Sequence, residues 1–123
     1  MMALIKRFED IHAWQEARKL TKQIYAVTCE GGFAKDFGLR NQIQRAAVSV
    51  MANIAEGFDC ESKVEFARFL GIARRSAVEV QSLLYTAIDV GYINQIAFDE
   101  LYEQARKTKA LTGGFRASLH KRA

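Results

Sequence analysis

The chain has 123 residues, 50% apolar and 26% charged, which is enough for one domain to bury a core and excludes a disordered or fibrous chain. Its 18 Lys and Arg against 14 Asp and Glu give a net charge of +4 and a pI of about 9.2, a mild bias toward an acidic partner such as nucleic acid. There is no proline, which argues against a turn-rich β fold and for long uninterrupted helices.

The first helix is expected over residues 11–29, with Asp10 as its N-cap. Trp14, Ala17, Thr21, Ile24 and Thr28 share a face at helical spacing, and Gly31-Gly32 stops the pattern. The second is expected over 37–56, capped by Asp36 and ended by Gly57, with Leu39, Ile43, Ala47, Val50 and Ile54 as its core stripe. The third, over 63–90, opens on Ser62-Lys63-Val64-Glu65, a capping-box pattern, and closes at Gly91. Phe66, Phe69, Leu70, Ala73, Ala77, Val80, Leu84 and Ala87 hold one of its faces for about seven turns. The fourth, over 95–119, begins near Asn94 and carries Phe98, Leu101, Ala105, Thr108, Thr112, Phe115 and Leu119. Gly113-Gly114 falls inside that pattern, where each glycine costs about 1 kcal/mol relative to alanine and threatens continuity.

Four amphipathic helices joined by short polar loops predict an all-α protein, an antiparallel up-and-down four-helix bundle in a single domain over 1–123. The N-terminus lacks the apolar core of a signal peptide, and no run of about 18 apolar residues occurs, so no membrane partner is expected. Two cysteines, Cys29 and Cys60, are too few for a disulfide scaffold and suit a reducing cytoplasm. They fall at opposite ends of a helix of about 20 residues, about 30 Å apart, too far for an intrachain bond.

Three sets of residues together resemble a known family. They are Phe8-Glu9-Asp10-Ile11 with Trp14-Gln15 and Ala17; Gly38-Leu39, Gln42-Ile43, Arg45-Ala46-Ala47, Ser49-Val50 and Asn53-Ile54-Ala55-Glu56-Gly57; and Glu65-Phe66, Arg68-Phe69-Leu70, Ile72-Ala73-Arg74, Ser76 and Glu79. The pattern, over roughly residues 8–115, is similar to the bacterial four-helix bundle family named for 23S rRNA intervening sequences, the S23 family. The resemblance implies a four-helix fold, a homopentamer and an association with nucleic acid, as in related accessory proteins of diversity-generating retroelements; it implies no reaction. The chain departs from the pattern at Met51 and before Gly38, where the family carries proline, at Asp59-Cys60-Glu61, which replaces a Gly-Arg pair, and at Arg75, which replaces a glycine.

No catalytic constellation emerges. A di-iron bundle needs two Glu-x-x-His pairs and two further glutamates, whereas only Glu9-Asp10-Ile11-His12 fits, so neither metal nor cofactor is expected. No phosphate-binding glycine loop occurs, and neither histidine has a nucleophile placed by spacing. The expectation is a non-enzyme.

Two sets of surface residues remain. On the second helix Gln42, Arg45, Ser49, Asn53 and Glu56 fall within about 80° of arc, off the axis of the core stripe. They form either a solvated face or a polar subunit contact or ligand groove, and their place in the family signature favours contact. Gly71, with Arg75, Val78 and Ser82, marks an outer strip of the third helix where small residues admit another helix. Arg75 could instead pair with Glu79. The candidate phosphate contacts are Arg68, Arg74, Arg75, Arg106, Lys107, Lys109 and Arg116. No acid follows Glu103, and the six later cations leave the part before them at −2 of the total +4. Basic character therefore concentrates in the last helix and tail. The expected function is an oligomeric non-catalytic scaffold that associates with RNA or DNA. The alternative is a module that binds another protein without nucleic acid.

Overall fold

The computed structural model describes residues 5–121, so Arg122 of the basic tail lies outside the described residues. A 3-10 turn, Phe8–Asp10, leads into α1, His12–Thr28. A short helix α2 follows over Gly31–Lys35, then α3 over Phe37–Asp59, α4 over Lys63–Asp89 and α5 over Gln95–Lys121. No strand occurs among the described residues. The four long helices form an antiparallel bundle in which α1 and α4 each pack on α3 and α5.

Burial follows the expected stripes, with adjustments. Ala13, Ala17, Leu20, Ile24 and Thr28 are buried on α1, so its core face is rotated away from Trp14 and Thr21, both half-buried. Ile43, Ala47, Val50 and Ile54 are fully buried on α3, facing Leu70, Ala73, Ala77, Val80 and Leu84 of α4. The core threonines bond within their own helices: Thr28, Thr108 and Thr112 donate to Ile24, Gln104 and Thr108 carbonyls at 2.7–2.8 Å. Gln44 then donates to Thr28 Oγ1 at 2.8 Å, tying α3 to α1.

Three helix ends match their sequence signals. Asp36 accepts from Leu39 N–H at 3.0 Å, Ser62 from Glu65 N–H at 3.1 Å, and Asn94 from Ala97 N–H at 2.9 Å. The carboxylate of Glu65 pairs forward with Arg68 at 3.2 Å. Gly91, at φ +80°, closes α4 in a Schellman motif, with Tyr92 N–H on Ala87 O and Gly91 N–H on Ile88 O.

Two expected ends are corrected. Asp10 does not cap α1; it lies in the 3-10 turn, and Ile11, fully buried, takes the cap position without a side-chain bond. Gly57 does not end α3, which continues to Asp59. It is buried against α4, where an added Cβ would meet Phe69 Cβ at 2.7 Å and Phe66 Cδ1 at 2.9 Å, so its role is close helix approach. As expected from its bounds, α5 runs on through Gly113-Gly114. The helix α2 was not expected, because five residues carry no readable period. It inserts Phe33, fully buried, whose ring stacks on Tyr92 at 5.3 Å.

Candidate functional site

Helices α3 and α4 enclose a groove of about 500 Å³ on the outside of the bundle. Gln42, Arg45 and Ser49 of α3 line one wall, and Ser76 and Glu79 of α4 the other. The helices approach closely because the residues between them are small. Ser49 Oγ and Ser76 Oγ lie 2.9 Å apart, and Asn53 Nδ2 donates to Ser49 O at 2.8 Å and Ser49 Oγ at 2.9 Å. Gln42 Nε2 donates to Glu79 Oε2 at 3.4 Å, so Glu79 pairs across the groove rather than with Arg75 along α4. Glu56 lies further along α3, exposed, with its carbonyl 3.5 Å from the Cys60 thiol.

Gly71 does not belong to this set, and its placement on an outer strip is corrected. It is buried under α5, where the Arg116 guanidinium crosses it: an added Cβ would lie 3.4 Å from Arg116 Nε. Arg116 Nε donates to Ala67 O at 2.9 Å. The converse contact lies one turn away, where the Arg74 side chain crosses Gly113 with Cδ and Nε 3.4 Å from an added Cβ. Each glycine thus lets an arginine of the opposite helix lie flat across the α4/α5 seam.

The seven candidate phosphate contacts therefore divide. Arg74 and Arg116 meet at that seam, and helical phase sets Lys109 and Arg75 on or beside the same face. None of these four forms an ion pair among the described residues. Arg68 lies over the Phe69 ring at 4.9 Å and pairs with Glu65. Arg106 grips Glu103 with two bonds of 2.8 and 2.6 Å, which hold the Glu103 carboxyl below its ordinary range. Lys107 faces the other way and reaches Glu16 of α1 at 3.2 Å. Glu16 also accepts from Gln104 at 3.0 Å, and these bonds, Gln104 first, hold its carboxyl low.

At the other end of the seam Tyr85 of α4 packs against Phe98 and Tyr102 of α5, with ring centroids 4.9 and 5.8 Å away. Tyr85 remains 52% exposed. The sequence patterns did not single it out; the signal was its place eleven residues after Arg74, three helical turns on the same face. Both cysteines are free. Among the described residues no group of three His, Cys, Asp or Glu gathers that could hold a metal, and no helix is long and apolar enough to cross a membrane.

The model of the 23S rRNA-intervening sequence protein family matches residues 9–114. The chain belongs to this family. The matched span takes in all four long helices except the last turns of α5. Among solved structures, the 23S rRNA-intervening sequence fold is similar to a crystal structure of a protein of unknown function from the S23 ribosomal protein family of Bacteroides thetaiotaomicron. The TM-score is 0.79 at 22% identity, over 85% of this chain and 95% of that one. That likeness carries the fold. No match was found among the curated proteins.

Proposed function

We propose that this member of the 23S rRNA-intervening sequence family is a non-catalytic cytoplasmic scaffold that self-associates, as a pentamer, and holds RNA or DNA along its α4/α5 face. One observation carries the nucleic-acid part: Arg74, Lys109 and Arg116 share that face, with Arg75 beside it on α4, and none has a carboxylate partner among the described residues. Phosphates supply the missing counter-charge, and releasing their condensed cations drives association. Self-association draws on the polar α3/α4 groove, where short hydroxyl and amide side chains leave room for another chain. A reducing cytoplasm suits the two free thiols.

The test is binding to labelled RNA and DNA across a salt series. Affinity is expected to fall steeply with salt. Replacing Arg74, Lys109 and Arg116 together by Gln should flatten that slope by up to about three phosphate contacts' worth, far more than replacing Arg18, Lys19 and Lys22 on α1. Equal losses would remove the α4/α5 assignment. An absence of binding at low salt, with a single protein partner retained after nuclease treatment, would instead favour a protein-interaction module.

A further inference from the structure

We infer that the nucleic acid taken by the α4/α5 face is single-stranded, with Tyr85 as a platform on which an unpaired base stacks. This rests on the nucleic-acid reading above and specifies its ligand. The three contacts Gly71–Arg116, Arg74–Gly113 and Tyr85–Tyr102 share one antiparallel register, which sets Lys109 level with Val78. From the level of Gly71 to Tyr85 the face runs fourteen residues of α4, about 21 Å. Cations occupy the first half of it and an exposed aromatic ring ends it. Arg74 and Tyr85 stand on α4 only about 20° apart in azimuth, so a strand whose backbone follows the arginines passes directly over the ring.

The ring is built to be rigid. Tyr85 is braced against Phe98 and Tyr102, the latter pair stacked at 5.4 Å, while half its own surface stays open. Val78, 42% exposed, adds apolar floor midway. Glu103, the acid nearest Tyr102 along α5, is already neutralised by Arg106. Every base offers a π face, so such a platform is sequence-tolerant, but in a duplex those faces are covered by neighbouring bases. A tyrosine fixed on a straight helix cannot reach them without unstacking the duplex. The combination of cations and one rigid open ring therefore selects unpaired strands.

The experiment measures fluorescence anisotropy of the full chain with a labelled thymidylate dodecamer, a uridylate dodecamer and a duplex of equal length. The wild type should bind a single strand at least about tenfold more tightly than the duplex. Tyr85→Leu, which keeps apolar bulk without the π face, should lose about tenfold on the single strand and leave duplex binding unchanged. Tyr85→Phe should retain the wild-type affinity, which separates stacking from any structural role of the hydroxyl. The two dodecamers distinguish DNA from RNA as the source of the strand. Equal binding of strand and duplex, or an unaffected Tyr85→Leu variant, would overturn the stacking inference while the salt-dependent reading stands. Failure of all three probes to bind at low salt would overturn both.

Discussion

A methyl group added at Gly57 would stand 2.7 Å from Phe69 Cβ, an atom fixed to the α4 backbone, so the two helices would have to part. Gly57→Ala is expected to destabilise the fold by about 1–3 kcal/mol, read as a lower denaturant midpoint at unchanged slope. Gly114 is the control. It is exposed within α5, with nothing within 4 Å of an added Cβ. Gly114→Ala should stabilise by about 0.5–1 kcal/mol, because alanine loses less backbone freedom in a helix. Equal effects of the two substitutions would remove close approach as the reason for Gly57. Glycines also make Arg74 and Arg116 what they are: without Cβ atoms at Gly113 and Gly71, both guanidinium chains cross the seam instead of extending into solvent.

Among the elements, the start of α3 is bonded to a segment distant in sequence. Asp36 accepts from Leu39 N–H at 3.0 Å and from the Tyr92 hydroxyl at 2.9 Å, which joins the cap of α3 to the segment between α4 and α5. These bonds, the backbone one first, hold the Asp36 carboxyl below its ordinary range, and the same contact raises the Tyr92 phenol. A carboxyl depressed in the folded state stabilises fully above its unfolded value, near pH 3.9, and that contribution disappears as pH falls through the lower folded value. Asp36→Asn keeps an effective cap but removes the charge. Its stability should fall below wild type at neutral pH and converge on it in strong acid, measured by urea unfolding at several pH values. A constant gap across pH would show that the charge is immaterial. Helix boundaries were legible here because Asp36, Ser62, Asn94 and Gly91 act through bonds to residues three to five positions away. Gly57 misled because its signal as a stop is local, whereas its actual partner, α4, is not.

For the whole molecule, the bundle leaves two outer seams with different chemistry. The α3/α4 seam is neutral and small, with Ser49 and Ser76 in contact and Arg45 and Glu79 on opposite walls. The α4/α5 seam is basic and ends in Tyr85. If the first is the subunit contact, light scattering shows a multimer, and Ser49→Lys, which places a charge in that groove, yields monomer with unchanged helical circular dichroism. A wild-type monomer, or a variant that remains multimeric, would remove the interface role of Ser49 and Asn53. The same substitution should leave single-strand binding per chain within about threefold, since multivalency rather than the site would be lost.

The sequence by itself determined the four long helices, most of their caps and most of the core. Hydrophobic period, capping residues and the absence of proline all act within one helix, so no knowledge of neighbours is needed to read them. It also located the excess of positive charge after Glu103. What only the tertiary structure decided is the use of residues flanking each core stripe. Two residues on opposite flanks look equally polar in sequence, yet Lys107 turns to Glu16 on α1 while Arg116 crosses to Ala67 on α4. Gly71 looked like an open strip and is covered by that arginine; Tyr85 is braced by α5 and still exposed. The physical reason is that a helix's period fixes which side is buried, while its flanks take their partners from whichever helices pack beside it.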